Sequence, residues 1–304
     1  MDTKPRYERL AATQFTRTDA SGLKLDVAGG KIRELFQRRE LLSLLVRRDL
    51  QARYRDSVLG FLWTVIRPII VFLMYYVVLG KFLRAAEGVP NFAVYLFAGL
   101  TLYGLFAEMV VGSTGSILGN SGLVKKIYLP REIFPLASIG GAGFMFLVQC
   151  LVLLAAAAIF RALPSNLWDM LWFFPSVALI FVYGLAIGLF LSAVNVYLRD
   201  VQYLLDLVVM LAMWASPIVY SWQMVKSAFA SFDLPAWVFE IYQNNPITLG
   251  VLGFHRAFWS GGTVDDYPAN LGLRMLIAFL IGVVLVFLAH RVFKRLQGNF
   301  AQEM

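Results

Sequence analysis

The stretch FAVYLFAGLTLYGLFAEMVV, Phe92 to Val111, is twenty residues long and carries one charged side chain, Glu108. Twenty helical residues at about 1.5 Å each cover about 30 Å, the thickness of a bilayer's hydrocarbon core. Comparable apolar stretches run from Phe61 to Phe82, Ile133 to Phe160 and Trp172 to Val196. A fifth, Tyr203 to Tyr220, includes Asp206 and Pro217, and a sixth, Leu271 to Ala289, is entered through Arg274. Together they predict an all-α integral membrane fold with six transmembrane helices.

Composition points the same way. Of 304 residues, 59% are hydrophobic and 15% charged, with 25 Phe and 7 Trp. The mean hydropathy is +0.68. Such a chain has too little polar surface to cover a water-soluble globule, so its apolar excess needs lipid as solvent. Soluble enzymes and nucleic-acid binders are excluded as classes, despite the net charge of +8. The single cysteine, Cys150, excludes an intramolecular disulfide and a Cys-rich metal site.

The positive charges flank the spans. With six crossings and both termini on the cytoplasmic side, the cytoplasmic pieces hold twenty Lys/Arg, thirteen of them before Phe61, and the opposite side holds five. That asymmetry fits the positive-inside rule. No h-region opens the chain, so the N-terminus is expected to stay in the cytoplasm of a multi-pass inner-membrane protein.

Three organisational segments follow. Residues 1–31 show no periodicity and are expected to be a flexible cytoplasmic N-terminus, residues 32–56 an interfacial helix, and residues 57–304 the six-span domain. Within Ile32 to Tyr54, the apolar Ile32, Leu35, Phe36, Leu42, Leu45 and Val46 fall largely on one helical face, with arginines on the others. Such a helix lies flat on the inner leaflet. Its arginines either anchor to anionic phospholipid or receive the head group of a transported lipid. Between spans five and six, Leu234 to Tyr242 and Pro246 to Trp259 are too short to cross. They read as a re-entrant pair on the outer side or as a compact external loop on the bundle rim.

Catalytic chemistry is missing. No phosphate-cradling loop of the Gly-x-x-x-x-Gly-Lys-Ser/Thr type is present, nor a Gly-x-Ser-x-Gly elbow, and His255 and His290 are the only histidines. No catalytic or metal-ligating residue is assigned. Arg67, Glu108 and Asp206 lie within spans, where charge is costly, and either pair or snorkel within the bundle or meet substrate. Pro68 is expected to bend the first span. Gly184 and Gly188 have the spacing of a close helix contact, within the bundle or between subunits. Tyr75, Tyr76, Tyr95, Tyr103, Tyr183 and Trp214 are candidates to line a sugar pathway, the alternative being the aromatic belt at the lipid interface.

The loop SILGNSGLVKKIYLPREIFP, Ser116 to Pro135, contains the turn residues Gly119, Asn120 and Gly122, then an apolar and basic knob from Leu123 to Tyr128 stopped by Pro130. A solvent-facing loop gains nothing from such a knob, whereas a groove on a partner would bury it. It reads as a docking element, or else as an interfacial anchor.

At this loop the residues resemble a known family, the ABC-2 type permeases that export polysaccharides and polyol phosphates. Arg53-Tyr54-Arg55-Asp56-Ser57-Val58-Leu59-Gly60-Phe61-Leu62-Trp63 resembles the family's opening, and Leu123 to Glu132 is similar to its coupling helix and following turn. Further matches are Asn195 to Val201 (NVYLRDV), Ser216 to Tyr220 (SPIVY) and Asn245 to Thr248 (NPIT). The resemblance extends from about Leu41 to the C-terminus.

The resemblance implies a homodimer bound to two copies of a separate nucleotide-binding subunit. ATP and Mg would sit on that subunit, with no cofactor on this chain and no nucleic acid among its partners. Asn120, Leu123, Val124, Lys125, Lys126, Ile127 and Tyr128 inherit the ATPase-coupling role. The helix at Ile32 to Arg48 inherits an inner-leaflet gate role, and the outer short helices line the exit. Arg47, Arg48, Arg53 and Arg55 are expected to receive the pyrophosphate of a polyprenyl-linked glycan such as an O-antigen, teichoic-acid or galactan precursor. The rival readings are an ABC-2 permease for a drug or free lipid, and a multispan carrier or glycosyltransferase working without an ATPase.

Overall fold

The computed structural model describes residues 39–55, 57–126, 129–164, 166, 168–233 and 235–303. Two units partition the chain, 1–41 and 42–304. Of the first, the described residues form only the opening turn of a helix, and the account below concerns the second. The expected flexible segment 1–31 and the first turns of the expected interfacial helix lie outside the described residues, as do Ile127 and Tyr128.

All regular structure among the described residues is helical. Helix α1 spans Arg39–Tyr54, α2 Trp63–Tyr75, α3 Phe92–Gly119, α4 Ser121–Lys126, α5 Ile133–Ile159 and α6 Phe173–Tyr197. Then come α7 Val201–Trp214, α8 Trp222–Ser231, α9 Ala236–Gln243, α10 Pro246–Phe258, α11 Leu271–Leu296 and α12 Phe300–Glu303. A 3-10 turn leads into α2, which runs unbroken through Pro68 and passes into a π-helix over Tyr76–Phe82.

Five of these segments are long and apolar enough to cross a bilayer: Gly60–Phe82, Phe92–Gly119, Ile133–Ile159, Asp169–Tyr197 and Val264–Asn299. The chain is therefore a multi-pass membrane protein. The helix expected from Tyr203 to Tyr220 ends instead at Trp214. Its 14 residues cover about 21 Å, less than the hydrocarbon core. The chain then turns, and Ser216, Pro217, Ile218 and Val219 are buried in that turn. Pro217 brings no amide hydrogen to a continuing helix, which favours the stop.

Helix α3 is the hub. Its most apolar stretch is 72% buried, against 11% for that of the first span. It packs on α5 and α6, α6 packs on α11, and α10 inserts against α3, α6 and α11. The long helices meet at small residues. A Cβ at Gly188 would lie 2.8 Å from Ser113 Cβ, one at Gly184 2.9 Å from Met109 Cε, and one at Gly282 2.7 Å from Val182 Cγ1. The Gly184/Gly188 pair thus packs within the bundle, against α3. Without a hydrophobic drive between helices in lipid, this close approach is what van der Waals association requires.

Among the described residues, the region between α7 and α11 holds three short α-helices, one more than the two expected. Ser221 caps α8 by accepting from Met224 N, and Asn245 caps α10 by accepting from Ile247 N, with Pro246 as the first helical residue. Helix α10 is buried along nearly its whole length. It is a core element, not a loop resting on the rim.

Candidate functional site

The expected coupling element begins at Asn120. Its backbone carbonyl accepts from Leu123 N (2.9 Å) and Val124 N (3.0 Å), starting α4, while its side-chain amide donates to Ser116 O (2.8 Å) at the end of α3. Lys125 is exposed, Leu123 is half-buried and Val124 is buried. Part of the apolar knob is therefore spent on the protein's own packing, and Lys125 faces outward.

The four arginines expected at the head-group site divide. Arg47 is exposed and has no ion pair among the described residues. Arg48 donates to Asp49 Oδ1 (2.7 Å) and to Asn120 Oδ1 (2.6 Å). Arg53 donates to Glu108 Oε1 at 2.8 Å. Arg55 is exposed. Arg48 and Arg53 thus meet protein acceptors, and Glu108, one of three ionisable residues singled out within spans, is paired. Arg67 on α2 and Asp206 on α7 remain exposed.

The six aromatic candidates do not converge on one surface. Tyr95 is fully buried, and its hydroxyl lies 2.9 Å from Pro217 O and 2.8 Å from Tyr220 O. Tyr103 donates to Val209 O, and Tyr183 donates to Ala278 O (3.0 Å). Tyr75 donates to Met213 Sδ (4.0 Å). Tyr76 stacks on Phe72 and Phe92, and Trp214 is exposed at the end of α7. Tyr95, Tyr103 and Tyr183 pin neighbouring segments through main-chain acceptors, and such hydroxyls have little left for a sugar.

His255 was not singled out from sequence as a site. It is fully buried on α10, its ring centroid 3.8 Å from that of Tyr95, with Trp259 edge-on to Tyr95. Burial lowers its pKa to about 3, so the imidazole is neutral. On the same side of the bundle, Arg274 Nη1 donates to Glu240 Oε2 (2.9 Å) and Asn244 Oδ1 (2.8 Å). Arg256 lies 4.5 Å from the Trp172 ring centroid and 3.5 Å from Asp169 Oδ1. These contacts tie α11 to α9, and α10 to α3 and to the turn before α6, across loops that no sequence periodicity links.

An apolar groove of about 500 Å³ lies between the start of α6 and the first turns of α11, lined by Trp172, Pro175, Gly272, Met275, Leu276 and Phe279 among others. It opens on helix faces expected to meet lipid, and its lining offers nothing to hold a polar cargo.

Comparison with known proteins agrees with this architecture. Two O-antigen export system permease proteins RfbA of Klebsiella pneumoniae are each 27% identical over 266 residues, covering 86% of this chain and 94% of theirs. The protein of the same name from Myxococcus xanthus is 28% identical over 274 residues, 90% of this chain and 98% of its own. The family model for the ABC-2 type transporter matches residues 40–259, from α1 to the residue after α10. With buried α3 and α10, the short α4 and the five long helices all falling within or beside that match, the chain belongs to the ABC-2 type transporter family.

Proposed function

We propose that this chain is the transmembrane subunit of an ATP-driven exporter that moves a polyprenyl-pyrophosphate-linked polysaccharide, such as an O-antigen, teichoic-acid or galactan precursor, across the cytoplasmic membrane. The observation that carries this reading is the near end-to-end match to O-antigen export permeases, over 94% to 98% of their lengths. A separate subunit supplies ATP binding and hydrolysis, with Mg, since this sequence has no phosphate-binding loop.

The working unit is a homodimer with two such subunits, and the polymer passes between the permeases. The exposed faces of α2 and α7 support this. They carry Ile70, Leu73 and Met74, and Leu204, Leu207, Val208 and Leu211, together with the exposed charges Arg67 and Asp206. Charge facing hydrocarbon costs a few kcal/mol or more, so a face combining both suits a subunit boundary or a wet pathway better than lipid. In that setting α7 with the turn after it counts as a sixth, short crossing, α10 is a re-entrant helix, and both termini are cytoplasmic. Closure of the nucleotide-binding subunits on ATP drives the two α4 elements together, and the packed helices carry the movement.

The test is depletion of this chain in its native cell, with copurification from the same membranes. Intracellular lipid-linked glycan should accumulate, and a nucleotide-hydrolysing subunit should copurify. Accumulation of a drug or free lipid instead, or transport by the purified chain without any ATPase, would refute it.

A further inference from the structure

We propose that α1 is a strut of the coupling segment and not an independently swinging gate, with Arg48 the positioning residue that ties α1 to α4 through Asn120. This deepens the transport reading above and rests on it for its consequence in export.

Helix α1 is held at several points on different elements. Leu45 is buried, and Val46 Cγ2 would lie 2.9 Å from a Cβ at Gly140, so the α1 side chain sits in the hollow that this glycine leaves on α5. The Tyr54 hydroxyl accepts from Thr64 Oγ1 (2.6 Å) on α2 and lies 3.6 Å from Met145 Sδ on α5. Arg53 reaches Glu108 on α3 at 2.8 Å, and Arg48 reaches Asn120 at 2.6 Å. A helix merely floating on the leaflet would present its arginines to lipid phosphate.

Asn120 is the junction. Its amide nitrogen caps the last turn of α3 through Ser116 O, its carbonyl receives the first amides of α4, and its remaining side-chain oxygen is the one Arg48 holds. Displacing α1 therefore pulls on the residue that starts α4, and the reverse holds. Magnitudes divide the labour. Partly exposed pairs such as Arg53–Glu108 are worth about 0.2–1 kcal/mol, so the apolar seat of Leu45 and Val46 supplies adhesion. The directional bonds of Arg48 and Arg53 set register. Arg47, exposed and without an ion pair among the described residues, is open to a lipid phosphate.

The experiment places spin labels at Ser43→Cys on α1 and Gly122→Cys on α4 in a Cys150→Ala background, both label sites being exposed. The distance between the two labels of one protomer is measured, in dimers diluted with unlabelled chain so that inter-protomer pairs do not contribute, in the purified permease and in its complex with the ATPase, with and without a non-hydrolysable ATP analogue and Mg. One narrow distance, unchanged by nucleotide, is expected. Arg48→Ala and Asn120→Leu should broaden it and raise the ATP hydrolysed per polymer exported by about fivefold or more, the lower range of site-to-site coupling, with the complex still assembled. Arg48→Lys, which keeps one donor, should restore most of the narrow distribution.

A distance that shifts with nucleotide in the unsubstituted protein overturns the proposal. So does an Arg48→Ala protein that loses assembly or thermal stability with no change in ATP per polymer. If no ATPase copurifies, the proposed function fails, yet the nucleotide-free distances of the parent and variants still decide the strut.

Discussion

The rings of Tyr95 on α3 and His255 on α10 stack with centroids 3.8 Å apart at an interplanar angle of 28°. A histidine held there is neutral, because burial lowers its pKa to about 3, far below the value of about 6.5 in an unfolded chain. Between those two values the unfolded chain binds the proton and the folded chain does not. The stability His255 confers is thus complete above about pH 6.5 and is lost as pH falls toward 3, by at most about 1.4 kcal/mol per pH unit. The thermal midpoint in detergent should fall between pH 7.5 and 5, and His255→Phe should flatten that fall. An identical slope in both proteins would remove this assignment.

Glu240 offers a second pH test outside the spans. The hydrogen bond from Arg274, with a smaller one from Gln243, holds its carboxyl below the usual range. A depressed carboxyl stabilises the fold above its unfolded pKa of about 4.3 and loses that contribution as pH falls through the folded value. Glu240→Gln should therefore lower the thermal midpoint slightly at pH 7, and the two proteins should converge in acid. High salt should shrink the difference.

Gly188 should tolerate no side chain. A Cβ there meets Ser113 Cβ at 2.8 Å and Met109 O at 3.4 Å, and overpacking of this kind costs about 1–3 kcal/mol. Gly188→Ala should lower the unfolding midpoint, and Gly188→Val should lower it further. Gly141→Ala is the control, since its Cβ meets nothing within 4 Å and a helical Gly→Ala change gains about 0.5–1 kcal/mol. Equal midpoints for the two alanine variants would contradict the packing.

Neighbours on α4 should fail in different assays. Val124 is buried and Lys125 exposed, so Val124→Asp should destabilise the permease itself. Lys125→Glu should leave its midpoint unchanged and reduce the ATPase recovered with it. Loss of stability from Lys125→Glu would place that lysine in the fold and not at the docking face.

Hydropathy was legible because lipid imposes it residue by residue. A span must be apolar over about twenty positions whatever packs beside it, so Phe92, Ile133 and Leu271 each mark the start of a long helix in both sequence and structure. The break between the second and third spans was legible for a related reason, since Gly119, Asn120 and Gly122 supply turn residues next to an apolar and basic run. Side-chain destinations were not. Arg48 and Arg53 read as contacts for a lipid head group because their partners in the fold, Asn120 and Glu108, lie 72 and 55 residues away. His255 was not singled out because nothing local announces that Tyr95 stacks on it.

What the sequence by itself determined is that this chain lives in a membrane, that five of its stretches are long and apolar enough to cross one, and which family it resembles, because those properties follow from local composition and short motifs. Only the tertiary structure decided that α7 stops at Trp214, that α10 is core, that Tyr95 and Tyr103 serve neighbouring carbonyls, and that α1 is bound to the start of α4. Each of those depends on which distant groups satisfy a hydrogen bond or fill the space above a glycine. One-dimensional order does not carry that information until the helices pack.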